Sequence, residues 1–325
     1  VKRVVVESAT GTAVLNADDM HCLRMADFAS AERICYVTMN SDHSLVKEHI
    51  RAGGRALVLE KGMNGDMIAI YDNGTHIPVL WSHLIPATME GKAMHNVQNA
   101  MFAVAMAYSF DVDLDNIRHG LRTFDTNFFQ APGRTNVFNE HPFKVILDYA
   151  HNPAAFRAMA DLVTRLDVKG RRIAVLSAPG DRRDQDIYQA AEILAGHFDH
   201  YICKADDNRR KRGHDEVPKM LQQGLLNHGV PACNISIIAS EQEAVDTALH
   251  MAREGDLVMV FGDNITRCWK QIIYLKNEQQ TDIEAHPFMD ESNDAGMEEL
   301  LGEGDTIIRD ERGVRLARNN DEDGD

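Results

Sequence analysis

The sequence predicts an α/β protein built from two sheets in succession, the second mainly parallel and doubly wound, with an acidic tail behind them. Three observations carry this. At 325 residues the chain has room for about two domains. Between residues 132 and 276, short apolar runs alternate with amphipathic stretches of helical length, the pattern of β-α-β units. Before residue 132 the β-like runs come with few helices between them, which suggests the back half of a larger α/β unit.

Composition sets the outer limits. Apolar residues make up 44% and charged residues 26% of the chain, ordinary values for a globular protein in water. No apolar run approaches the roughly 20 residues of a membrane span. Val1-Lys2-Arg3 leads into a β-like run and not into a cleavable apolar region. The five cysteines, Cys22, Cys35, Cys203, Cys233 and Cys268, are scattered and form no C-x-x-C pair. They fit a reduced, cytoplasmic protein with buried thiols. A net charge of −16 argues against a general nucleic-acid binder. Much of that charge is local, because residues 277–325 hold 16 acidic and four basic side chains.

Thr12–Leu15 reads as the first strand, and Asn16-Ala17-Asp18-Asp19 as the turn that caps the next helix. Further strands are expected over Ile34–Thr38, Ala56–Glu60, Met67–Tyr71 and His76–Leu80, with a helix over Ser44–Arg51. Asp72-Asn73-Gly74-Thr75 is a hairpin turn joining the last two strands. Gly91–Ala105 is rich in alanine and methionine and should form a good helix. Spacings of three and four bring His95, Asn96 and Asn99 together around its first turn. Capping of the helix end is the favoured reading of these asparagines; the other is an anion or nucleotide held there. Asp113–Thr123 is a second, short amphipathic helix.

A rigid Pro132-Gly133-Arg134 turn opens the second region. Strands are expected over Lys144–Asp148, Arg172–Ser177, His200–Lys204, Ile235–Ala239 and Leu257–Gly262. Helices are expected over Ala154–Leu166, Gln185–Gly196, Asp215–His228 and Glu241–Glu254. The first of these strands ends in Asp148-Tyr149-Ala150-His151-Asn152, and Pro153 fits a first helical turn. Polar groups at the carboxyl end of a buried strand, just before a helix, sit where α/β folds place their chemistry. Other polar loops follow the later strands: Pro179–Asp184, then Asp206-Asp207 with Arg209–Glu216, then Gly262-Asp263-Asn264. Each alone is a solvated turn; three at one sheet edge together with Asp148 exceed what chance usually gives. The Arg209–Arg212 run is either an exposed face or a phosphate- or carboxylate-binding one. His151 reads more safely as a polar loop residue than as a metal ligand, since no histidine lies at ligand spacing.

The sequence contains no G-x-x-x-x-G-K-[ST], H-E-x-x-H or nucleophile elbow. The tail lacks a continuous apolar pattern and is expected to be largely flexible. Its exception is Asp305–Arg318, which reads as a hairpin turning near Glu311–Gly313.

Six pieces occur in one order along the chain: Val14–Asp19; His95-Asn96-x-x-Asn99; Pro132-Gly133-Arg134; Asp148–Pro153; Ala178–Arg183; and Arg312–Arg318. This set resembles the Mur-ligase family. The Asp148–Pro153 motif is shared across that family. Ala178–Arg183 and Arg312–Arg318 are similar more narrowly to the branch that builds an arginine-bearing poly-aspartate polymer. The resemblance implies that residues 1–131 are the C-terminal part of the family's central, ATP-binding domain. Residues 132–276 would be its Rossmann-like C-terminal domain, and 277–325 the tail.

The resemblance further implies an ATP-dependent amide ligase. In this family ATP phosphorylates a carboxylate and an amine attacks the acyl phosphate; in this branch arginine is joined to the side-chain carboxylate of a backbone aspartate. Carried over by position, Arg134, Asp148 and His151 would be catalytic. His95, Asn96, Asn99, Arg134, Asp148 and Asn152 would face the nucleotide, and Asp181, Arg182, Asp206 and Glu216 the incoming substrate. ATP and Mg²⁺ are implied. The family's P-loop, its Mg²⁺ ligands and an ATP-grasp part are expected upstream of Val1, so the chain alone is not expected to turn over ATP. The implied partners are ATP, arginine and the aspartate polymer, in a cytoplasmic homo-oligomer with no nucleic-acid or membrane partner. Alternatives are another ligase of the family, for cell-wall precursors or folylpolyglutamate, and a non-catalytic binding or assembly remnant.

Overall fold

The computed structural model describes residues 3–275 and two strands at 305–310 and 313–318. The chain begins with a short helix, α1 (Arg3–Ser8), where the sequence suggests an extended run. Three consecutive valines favour a strand by propensity. An Arg3–Glu7 ion pair at 2.9 Å, one helical turn apart, supports the helix instead.

The first sheet follows. Strand β1 (Thr12–Asn16) leads to α2 (Met20–Met25), whose N-cap Asp19 accepts the Cys22 N–H. Next come β2 (Arg33–Thr38), α3 (Ser44–Arg51), β3 (Arg55–Gly62), β4 (Gly65–Asp72) and β5 (Thr75–Trp81). The strands lie in sequence order, parallel from β1 to β3 and antiparallel from β3 to β5. The β4–β5 hairpin turns at Asn73 and Gly74, with φ of 48° and 77°, the left-handed pair that a tight hairpin requires. Two helices, α4 (Met94–Ser109) and α5 (Leu114–Thr123), cover one face of this sheet. Val97, Met101 and Val104 there meet Leu57, Leu59, Ile68 and Ile70 in one buried cluster.

The second sheet is doubly wound. Its elements are β6 (Asn136–Phe138), β7 (Lys144–Asp148), α6 (Pro153–Arg165), β8 (Arg172–Leu176), α7 (Asp184–Leu194) and β9 (His200–Cys203). They continue with α8 (Glu216–Asn227), β10 (Ile235–Ile237), α9 (Glu241–Met251), β11 (Leu257–Phe261) and α10 (Ile265–Ile273). The strand order is β10-β9-β8-β11-β7-β6, all parallel except the edge strand β6. Strict alternation divides each strand between two cores. Ile146, Ala174 and Met259 face α6, α7 and α8, while Val145, Ile173 and Val258 face α9 and α10. Because β7, β8, β9 and β11 run parallel, their carboxyl ends share one edge, as the spacing of the polar loops predicts. The sequence reading misses β6, which is three residues long, and α10.

The tail strands, β12 (Asp305–Asp310) and β13 (Gly313–Arg318), form an antiparallel pair running from Asp305 opposite Arg318 to Asp310 opposite Gly313. Glu311 and Arg312, the expected turn, lie outside the described residues.

A buried ionic knot ties the carboxyl edge of the second sheet together. Lys204, just past β9, is fully buried and stands 2.9 Å from Glu241 Oε1. Glu241 also accepts the Asp263 and Asn264 N–H groups, at 2.7 and 3.1 Å, and pairs with Arg267. Burial alone would raise the Glu241 carboxyl, but Lys204 and those two N–H groups bring it down to about 2. Removing one partner leaves a buried charge unpaired, so E241A is expected to cost about 3–5 kcal/mol in urea unfolding at pH 7. This contribution is fully present above the ordinary glutamate value of 4.5 and is lost as pH falls toward about 2. The stability gap between wild type and E241A should therefore close in acid. A gap that is small at pH 7 or indifferent to pH would show the knot to be inert.

Candidate functional site

The turn between the two sheets is held by one buried side chain. The Asn136 amide donates to the carbonyls of Thr126 and Ala131, each at 2.8 Å, and its Oδ1 accepts the Gly133 N–H at 2.7 Å. Gly133 has φ of 71°, and a Cβ there would come within 3.0 Å of Ile265. Only glycine serves at that point. Two residues on, Thr135 also adopts a left-handed backbone, with φ of 53°. For a β-branched residue this is a strained conformation that its surroundings must enforce.

Thr135 faces Asp148 at the end of β7. Asp148 Oδ2 accepts both the Thr135 N–H, at 2.8 Å, and the Thr135 hydroxyl, at 3.1 Å. On its other side the hydroxyl meets His95 Nε2 of α4 at 3.2 Å. A continuous chain of polar contacts therefore runs from the helix covering the first sheet to the carboxylate ending a strand of the second. Burial pushes the Asp148 carboxyl above its ordinary value, against the opposing pull of the Thr135 bonds and the Arg134 charge. Burial also holds His95 below the usual imidazole value.

These residues open onto a cleft of about 880 Å³ between α4, α5 and α6. His95, Asn96, Asn99, Arg134, Thr135, Asp148 and Asn152 all line it. Its remaining wall is largely apolar, including Ala100, Val104, Ile117, Leu121 and Phe124. Asn152 is the N-cap of α6 and accepts the Ala155 N–H at 3.0 Å. The favoured capping reading of Asn96 and Asn99 is corrected. The N-cap of α4 is Ala93, without a side-chain bond, whereas Asn96 donates to the Ala87 carbonyl at 2.8 Å and accepts from Asn99 at 3.2 Å. Both are thus oriented within the cleft wall. His151 is not among the lining residues; its Nδ1 bonds the Tyr149 carbonyl at 2.9 Å and its ring tilts against Tyr149. Thr135 and Asn136 escape a motif reading because they follow Pro132-Gly133-Arg134 without belonging to it; adjacency is their single signal.

Asp181, Arg182 and Glu216 come together elsewhere, around Arg212. That guanidinium contacts Glu216 and Asp184, each at 2.7 Å, and the carbonyls of Gly180 and Arg182. Asp181 pairs with Arg210 at 2.8 Å. Asp206 belongs to the Lys204 knot, at 3.6 Å from its ammonium. None of these four lines the cleft that holds Arg134 and Asp148.

A carboxyl whose value is raised by folding stabilises the native state through its protonated form. That contribution is fully present below 3.8, Asp148's ordinary value, and is lost as pH rises through the folded value. D148N, which carries no charge to bury, is therefore expected to melt above wild type at pH 7. The advantage should shrink as pH falls toward 3.8. A D148N melting point below wild type at pH 7 would mean that the Thr135 bonds outweigh burial.

Comparison with known proteins bears on this arrangement. Residues 133–264 match the Mur ligase, glutamate ligase domain. Over 269 residues, 82% of this chain, the sequence is 38% identical to cyanophycin synthetase of Synechocystis sp.. Over 274 residues, 84% of the chain, it is 38% identical to that of Nostoc sp.. The chain spans about 30% of the length of these relatives. Among solved structures, E. coli FolC in complex with DHPP and ADP is similar in fold, with a TM-score of 0.57 at 20% identity, covering 82% of this chain and 53% of FolC. By that domain match, residues 133–264 belong to the Mur-ligase family as its glutamate ligase domain, and the chain around them is similar to part of the cyanophycin synthetases.

Proposed function

We propose that the chain forms part of an ATP-dependent amide ligase of the cyanophycin synthetase type. Such a ligase joins arginine to the side-chain carboxylate of aspartate in a poly-aspartate backbone, the cyanophycin polymer, through an acyl phosphate. The observation that carries this reading is the cleft shared by Arg134 and Asp148. Its size suits a nucleotide, and its composition, apolar walls with a few convergent polar groups, is that of a small-molecule site. In the proposed pose the base lies against Ile117, Leu121 and Val104, and Asn96 and Asn99 face its polar edge. Asp148, an acceptor when ionised, receives a ribose hydroxyl. Arg134 reaches the phosphates.

The chemistry fits those groups. Phosphoryl transfer relies mainly on positioning and on neutralising charge that develops on the transferred group. A guanidinium at the mouth of the cleft supplies both, because it binds phosphate oxygens in two-pronged fashion. Among the described residues, no three of His, Cys, Asp and Glu come together as a cation site. The described residues do not by themselves fit Mg²⁺.

For the incoming arginine, Asp181, Arg182, Asp206 and Glu216 remain the proposed substrate-facing residues. Asp181 and Glu216 already hold guanidinium groups, those of Arg210 and Arg212. A substrate guanidinium would bind there by exchange with the chain's own. His151, against Tyr149 at the following turn, would act from the rim and not from the wall.

A chimera tests the reading. The matched segment replaces its counterpart in the Synechocystis sp. cyanophycin synthetase, and arginine incorporation into a poly-aspartate acceptor is followed with ATP. Incorporation by the chimera, falling at least about a hundredfold with R134A, is the expected outcome. A chimera that folds yet shows the same rate with and without Arg134 contradicts the proposal.

A further inference from the structure

We infer that Thr135, backed by His95, is the positioning residue of this cleft: it fixes the orientation of the Asp148 carboxylate and ties it to α4. The inference rests on the nucleotide reading of the cleft given above, and it concerns a residue that no motif in the chain marks.

Proton counting on the threonine hydroxyl carries it. A hydroxyl has one hydrogen. Its geometry directs that hydrogen to Asp148 Oδ2, at 3.1 Å. Toward His95 Nε2, at 3.2 Å, the Thr135 oxygen can then only accept. His95 must therefore carry its proton on Nε2, which leaves Nδ1 bare. Among the described residues Nδ1 is buried and has no hydrogen-bond partner. A second proton placed there would bury an unpaired charged N–H, so the ring stays neutral. The order of donors is thus fixed from end to end: His95 Nε2–H to Thr135 Oγ, Thr135 Oγ–H to Asp148 Oδ2.

The backbone points the same way. Thr135 uses every polar atom it has, since its carbonyl accepts the Thr126 hydroxyl at 3.1 Å and its N–H joins its hydroxyl on Asp148. Both bonds to the carboxylate fall on Oδ2, which commits that oxygen to the protein and sets the plane of the carboxylate. The left-handed φ of 53° is the backbone angle that accompanies both contacts. A β-branched side chain held against its own preference, at the wall of a cleft, is the arrangement expected where position matters more than local stability. The contact also crosses between lobes: α4 belongs to the first sheet and Asp148 to the second, so any shift of one against the other is felt at the carboxylate.

The test uses the whole chain with ADP as probe and three variants: T135V, which keeps the shape and loses the hydroxyl; T135S, which restores it; and H95F. Two measurements run in parallel, ADP affinity by calorimetry and the protonation state of the His95 ring nitrogens by ¹⁵N NMR. Wild type should show an Nε2–H, Nδ1-bare imidazole. T135V should weaken ADP binding about tenfold or more and change the His95 ring signature, whereas T135S should recover both. H95F should weaken ADP binding by less than T135V, because it acts through the threonine. If wild type binds no ADP, the nucleotide reading fails in this chain, and the His95 signature with its loss in T135V and return in T135S still decides the positioning claim. A proton on His95 Nδ1 in wild type, or T135V binding ADP as wild type does, overturns the inference.

Discussion

The structure around the cleft depends on one buried carboxylate. Asp148 is 6% exposed, and it keeps its place because two hydrogen bonds from Thr135 meet a single oxygen. A carboxylate taken out of water at such a point needs donors close by. Here the donors come from a turn whose shape Asn136 and Gly133 enforce. His95 completes the arrangement from α4, so the same few atoms join two sheets and orient the acidic group between them. Stability and site geometry are therefore set by one set of contacts, and the burial that makes Asp148 costly also removes its neighbours from water.

Polar chemistry elsewhere on the second sheet is arranged differently. Along the carboxyl edge the acids and bases are largely spent on each other: Lys204 and Arg267 on Glu241, Arg212 on Asp184 and Glu216, Arg210 on Asp181. Such pairs hold the loops that follow β8, β9 and β11 in fixed relation to the starts of α7, α8, α9 and α10. The cleft differs by having polar groups over an apolar wall, with Arg134 exposed at its mouth. That contrast separates a surface that reinforces itself from one arranged to meet something else.

Much of this was legible in the sequence. The alternation of apolar runs and amphipathic stretches after residue 132 is a direct consequence of a parallel sheet covered on both faces, and apart from β6 and α10 the observed elements fall where it places them. Val145, Ile146 and Leu147 declare a strand buried on both sides, and the polar run after them declares its end. What the sequence could not yield follows from physics that acts through space. Strand β6 is too short to show a period, and it exists because β7 offers it an edge. Helix α1 forms from valines against their strand propensity, with Arg3 and Glu7 paired one turn apart. Asn96 looks like a cap by spacing, yet it bonds Ala87 because the preceding turn delivers that carbonyl to it. Thr135 has no signature at all: its conformation and its role are both set by an aspartate 13 residues away. Asp181, plausible by position, is already engaged by Arg210, 29 residues away, which spacing alone does not pair with it.

The most direct measurement is a crystal structure of this chain with a non-hydrolysable ATP analogue. The account predicts analogue density in the cleft between α4 and α6, with the base against Ile117 and Leu121, the ribose beside Asp148 and the phosphates toward Arg134. Analogue bound at the Arg210–Arg212 loop with the cleft empty, or lying in the cleft with its phosphates away from Arg134, would contradict it.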